Sequence, residues 1–236
     1  MKRTITFLSL ILLVYSSDAV AQVLQLRGTV RDEKGPLQGV STIEQSPLFQ
    51  GYNILSSQFE NRDPRMSMTF VVPGSEIFFE GGLWQPTYPG FTGNNATRTG
   101  YMLRKFLDET LDAAHFQGEY DFKEFRYAEV LLILAEALHE KNGSISDADL
   151  DRTINLLRSR VNMPRLTNAQ VTMNGLNMLN EIRRERTVEL AFEGFLRDDL
   201  RRWKTAETVL PQAIKGVKFL GTESTKVSRS SGRSRY

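Results

Sequence analysis

Apolar and polar positions change rhythm several times along the chain. Residues 5–15 are almost unbroken apolar, behind Lys2 and Arg3 and ahead of the small residues Ala19, Val20 and Ala21. That pattern predicts a cleavable secretory signal peptide over residues 1–21, and the run is too short to span a bilayer. A buried N-terminal helix is the alternative, disfavoured because neither helical period nor cap goes with the run. Residues 22–43 then alternate. Leu24, Leu26, Gly28 and Val30 share one face, residues 32–36 supply turn chemistry, and Val40 and Ile43 resume the apolar side. This predicts a β-hairpin too small to be an independent domain. Residues 44–100 hold most of the Pro and Gly punctuation, with short apolar runs such as "SMTFVV" and "EIFFEGGLW" between. Loops with a few short strands are expected there.

From Asp121 the period becomes helical. Phe125, Leu131, Leu134, Ala135 and Leu138 recur near helical spacing, with Asn142 and Gly143 as a stop. Ser146 is a good N-cap with Asp149 three residues on, and Leu150, Ile154, Leu157 and Val161 make one apolar stripe that Pro164 ends. Two helices joined by a short loop predict an antiparallel αα-hairpin of tetratricopeptide size. One pair cannot bury both its faces, so without further pairs the stripe over 150–161 is expected to lack part of its partner surface. A third helix is expected from about Asn174 to Phe192, its stripe running through Leu176, Leu179, Ile182, Arg186 and Leu190. Gly194 should interrupt it and a short helix should follow to Trp203. The Ser- and Arg-rich tail over 221–236 is expected to be disordered. The fold class is therefore mainly α, with tetratricopeptide-like αα-hairpin packing and a loop-rich, partly β N-terminal third.

A length of 236 residues suits one or two domains. A net charge of +2 gives no global pull toward nucleic acid. With no Cys in the chain, disulfides and thiolate sites are excluded, and a secreted chain of this kind suggests a bacterial envelope. "ELAFEGFLRDDLRRW" over 189–203 concentrates charge. On a helix it would stack Glu185 with Glu189, Glu189 with Glu193, and Asp198 with Arg202. A catalytic carboxylate pair, Glu189 with Glu193, would make a glycosidase. Phosphate or nucleic-acid binding is argued against by the interleaved acids. A structural ion-pair network is favoured, because neighbouring arginines keep carboxylates ionised. His115 and His139 have no ligand partner at metal spacing, so no metal, no cofactor and no catalytic residue is assigned. The loop "GGLWQPTYPGF" offers Trp84, Tyr88 and Phe91 as flat faces for sugar rings, with Asn94 and Asn95 as amide partners for hydroxyls. The alternative is that these rings plug the loop into the helical core.

Several segments together resemble a known family. "ENRDPRMSMTFVVPG" (60–74), "TGYMLRKFLD" (99–108), "FRYAEVLLILAEALHE" (125–140), "INLLRSRVNMPRLT" (154–167) and "IRRERTVELAFEGFLRDDLRRW" (182–203) resemble, in order, the SusD/RagB family of outer-membrane nutrient-binding proteins. The resemblance covers about residues 44–220. It implies a non-enzymatic protein on the bacterial outer membrane, secreted across the inner membrane, that captures a glycan or other nutrient for a SusC-type TonB-dependent transporter. It also implies that the 189–203 stretch frames the fold. Family members carry a lipidated Cys, a long N-terminal helical part and a further C-terminal segment, which this sequence does not show. At Leu196 and Arg197 the family order would be Arg followed by an aromatic. "AQVLQLRGTVRDEKGPLQGVSTI" instead resembles the start of a SusC-type receptor, joined near Ile43 to the second half of a SusD-like domain. A helical-repeat interaction module and a fusion product without independent function are the alternatives.

Overall fold

The computed structural model describes residues 9–12, 22–25, 31–32, 35–36, 55–79, 82–84, 97, 99–107, 109 and 123–211. Among these, the N-terminal part holds short antiparallel ladders. β1 (Ser9–Leu12) pairs with β2 (Gln22–Gln25), Ser9 opposite Gln25. Ser9–Leu12 lies inside the stretch expected to be a signal peptide. β3 (Arg31–Asp32) pairs with β4 (Gly35–Pro36), Asp32 opposite Gly35, so the pairing sits within the segment expected to turn. Leu26, Gly28, Val30, Val40 and Ile43 lie outside the described residues, as does the 221–236 tail.

A 3-10 turn (Leu55–Gln58) leads to α1 (Arg65–Thr69) and β5 (Phe70–Val71). β6 (Ile77–Phe79) and β7 (Gly82–Trp84) pair within "EIFFEGGLW", one of the runs where short strands were expected, with Ile77 opposite Trp84. β5 pairs instead with the distant β8 (Met102–Leu103), Phe70 facing Leu103 and Val71 facing Met102. Val71, Ile77 and Met102 form a small apolar cluster there, with Leu107 against it.

The remainder is helical: α2 (Tyr127–Asn142), α3 (Asp147–Asp151), α4 (Ile154–Arg160), α5 (Asn168–Met173), α6 (Met178–Glu189), α7 (Leu196–Arg202) and α8 (Ala206–Val209). α2 ends where expected, on Gly143 with φ 69°, a conformation a Cβ would strain. It begins at Tyr127 and not near Asp121, because Arg126 is extended (φ −125°, ψ 147°) to reach carboxylates described below. Phe125 therefore precedes the helix and stands 67% exposed. Ser146 caps α3 as the pattern predicts, accepting from the Asp149 N–H at 3.1 Å. The expected single second helix breaks at Thr153, whose hydroxyl donates to the Asp149 carbonyl at 2.5 Å. α5 was not expected. Thr167 caps it, accepting from the Gln170 N–H, and Thr167 with Gln170 is a Thr-x-x-Gln start signal. α6 then begins later than expected, after the Asn177 cap. Gly194 (φ 90°) separates α6 from α7, as the sequence suggests.

α2, α4 and α6 share the main core, in which Leu132, Leu150, Ile154 and Ile182 are all 0% exposed. The stripe over 150–161 is thus fully covered, with Leu157 and Val161 also buried, contrary to the expectation that it lacks partner surface. Among the described residues, an uncovered apolar face lies on α2. Tyr127, Val130 and Ile133 are 69%, 38% and 47% exposed at three-residue spacing.

Candidate ligand-binding site

The charged residues converge at the C-terminal end of α6. Glu189, the last residue of α6, is 4% exposed and takes Arg160 Nη2 at 2.8 and 2.9 Å, Arg126 Nη1 at 3.2 Å and Arg65 Nη1 at 3.2 Å. One turn earlier, Glu185 lies 2.7 Å from Arg65 Nη1 and 2.9 Å from Arg158 Nη1. Beyond the helix, Glu193 binds Arg126 at 2.7 and 2.8 Å and Lys105 Nζ at 2.5 Å. Asp63 grips the other edge of Arg65 at 2.7 Å. Burial alone would push the Glu185 carboxyl up, yet Arg65, Arg158 and Arg184 outweigh it and hold its pKa down at about 2. Burial pulls Lys105 down, and Glu193 only partly offsets this.

A second cluster ties α7 to the helices beneath it. Glu136 on α2 accepts from Arg202 at 2.6 Å and from the Trp203 indole at 2.7 Å, while Arg186 reaches Asp199 at 2.8 Å. The expected i, i+4 pairing of Asp198 with Arg202 does not form. Asp198 is exposed and lies 4.0 Å from Arg201, and Arg202 turns to Asp199 and Glu136. The 189–203 stretch is structural framing.

The 104–107 turn sits on this frame. Arg104 and Lys105 both donate backbone N–H to the Thr69 carbonyl, at 2.9 and 3.2 Å. Lys105 points inward and donates to the Glu189 and Ala191 carbonyls as well as to Glu193. Phe106, next along, points outward at φ 75° and is 40% exposed. Over it lies an open pocket of about 410 Å³ lined by Ser67, Met68, Leu107 and residues 104–106 with Glu109. Arg104 and Glu109 pair bidentately at its wall, at 2.6 and 2.9 Å. This pocket had no sequence signal beyond an aromatic following a lysine.

Of the residues read from the sequence as carbohydrate-binding, Trp84 is the last residue of β7, in a ladder and not in the loop expected for it. Tyr88, Phe91, Asn94 and Asn95 lie outside the described residues, as does His115. His139 is half-buried near the end of α2. Among the described residues no group of three or more acidic, His or Cys side chains could hold a metal ion, and no helix is long and apolar enough to cross a membrane.

Comparison with known proteins adds the following. The model of the SusD family matches residues 19–234. That span runs through the 22–43 segment likened to a receptor's start. The chain is similar to the crystal structure of a SusD-like carbohydrate-binding protein from Bacteroides fragilis, at 30% identity and a TM-score of 0.62, covering 82% of this chain and 38% of that one. It is also similar to a SusD-like protein of the same organism, at 27% identity and a TM-score of 0.60, covering 79% of this chain and 36% of that one. The chain thus spans well under half the length of these two structures. No curated protein matches it.

Proposed function

The chain belongs to the SusD family, and on that premise we propose that it binds a glycan at the outer membrane and hands it to a SusC-type TonB-dependent transporter. The observation that carries this reading is the family match over residues 19–234, together with likeness to a solved SusD-like carbohydrate-binding protein. Capture needs no bond-breaking. Glu189 and Glu193, the pair a glycosidase would use, are already clamped by Arg65, Arg126, Arg160 and Lys105. Their oxygens are engaged in holding the chain together, which supports a structural role for the pair. No cofactor enters the mechanism. Trp84, Tyr88 and Phe91 are proposed as stacking faces and Asn94 as a hydroxyl partner.

Affinity electrophoresis of the full chain through gels containing starch, xylan, mannan or laminarin tests this. Retardation in one polysaccharide, weakened by Trp84→Ala or Tyr88→Ala, is the expected result. Unretarded migration in every gel would remove the glycan reading. A second reading, a helical interaction module, draws on the uncovered α2 face and predicts no retardation by any polysaccharide.

A further inference from the structure

We propose that the pocket over the 104–107 turn is a subsite for a neutral sugar ring, with Phe106 as its stacking face and the Arg104–Glu109 pair as its hydroxyl partner. This rests on the glycan reading and adds residues to it from outside the 81–94 sequence segment.

Phe106 sits in the left-handed region of backbone space. A bulky residue at φ 75° is strained. Such a conformation persists only where its surroundings over-determine it, and it collects at ligand-holding positions. Here the determinants are visible. Both N–H groups preceding Phe106 bond to one carbonyl, that of Thr69, and Leu107 N–H closes the turn on the Arg104 carbonyl at 2.9 Å. Lys105 is drawn into the frame by three oxygens. With Lys105 held inward, the next position is turned outward, and Phe106 stands 40% exposed with its ring 5.9 Å from the Lys105 ammonium. A turn whose backbone is already held loses less freedom when a ligand stacks on the side chain it carries.

The wall of the pocket pairs its charges. Arg104 and Glu109 neutralise one another, and Lys105 is matched to Glu193, so an anion gains little here. A bidentate guanidinium–carboxylate pair still has N–H groups and lone pairs directed away from the shared edge, and it can both donate and accept. Sugar hydroxyls need that combination. Ser67 Oγ donates to the Pro64 carbonyl at 3.0 Å, which leaves its oxygen to accept. Met68, 52% exposed, adds an apolar surface beside the ring. The volume of about 410 Å³ lies within the range of small-ligand sites.

Calorimetric titration of the full chain with maltohexaose, xylohexaose, mannohexaose and laminarihexaose tests the subsite. Phe106→Gly suits the left-handed backbone, so thermal unfolding should hold or rise while affinity for the bound hexasaccharide falls about tenfold. Glu109→Gln should weaken the same ligand. Hydrogen exchange of the wild type should show protection at 67–68 and 104–109 on saturation. Unchanged affinity in Phe106→Gly, or no protection of those residues, would overturn the subsite and leave glycan binding standing. If the wild type binds none of the four, both readings fall. Should Phe106→Gly not fold, the protection pattern of the wild type decides alone.

Discussion

Glu185 is 0% exposed, and its charge is tolerated only because Arg65 and Arg158 stand within 2.9 Å of it. Glu185→Gln should therefore cost about 3–5 kcal/mol, since it strips the buried Arg158 guanidinium of its carboxylate and takes one of three from Arg65. A urea midpoint within 0.5 M of wild type would contradict this, given the m-values of chains this size, roughly 2–3 kcal/mol/M. The pH dependence follows from the same geometry. The folded pKa of Glu185 is held at about 2, below its ordinary value of 4.5. Its contribution is thus complete above about pH 4.5 and is lost as pH falls through about 2. At this scale the sequence was partly legible. The density of arginines beside Glu189 already favoured ion pairing over catalysis. It did not reveal that the partners would come from Arg65, Lys105, Arg126 and Arg160, since no local spacing encodes a meeting across so many residues. Nor did it mark Phe106, whose significance lies in a backbone angle.

Among the elements, α2 shows most directly what pattern reads and what packing decides. Its buried side carries Leu131, Leu132 and Ala135 against α4 and α6, and its other side carries Tyr127, Val130 and Ile133 outward. Neighbouring residues of similar size should then behave oppositely. Leu132→Ala should cost about 2–5 kcal/mol, the usual range for a fully buried leucine. Ile133→Ser, one position along, should stay within about 0.5–1 kcal/mol. Equal losses in thermal unfolding of the two variants would sink the assigned face. The helix's existence and its Gly143 stop were readable because period and C-cap chemistry agree. Its start was not, because Arg126 is pulled into an extended conformation by Glu189 and Glu193, a tertiary demand. The Thr153 break was likewise hidden, since the apolar stripe runs unbroken across it. α5 carried a legible Thr-x-x-Gln signal but is short and weakly periodic.

For the whole molecule, the five segments that resemble the SusD family are the ones that deliver Asp63 and Arg65, Lys105, Arg126, Arg158 and Arg160, and Glu185, Glu189 and Glu193 to one buried place. The family likeness and the charged frame are one feature seen twice. Its consequence concerns the order of events when the chain folds. Arg65 and Glu189 are 124 residues apart, whereas the helical pairs close over much shorter loops. Closing so long a loop is slow and entropically costly, so the local helices should form first and the frame should lock last. A contact made after the rate-limiting barrier restrains escape from the native state and does not hasten arrival. Arg65→Met should therefore leave the refolding arm of a stopped-flow chevron almost unmoved and speed unfolding about a hundredfold or more. A refolding rate slowed by a comparable factor would place the frame in the folding nucleus instead. On this view the charged frame acts as a latch: it sets how long the folded chain lasts, not how quickly it is reached.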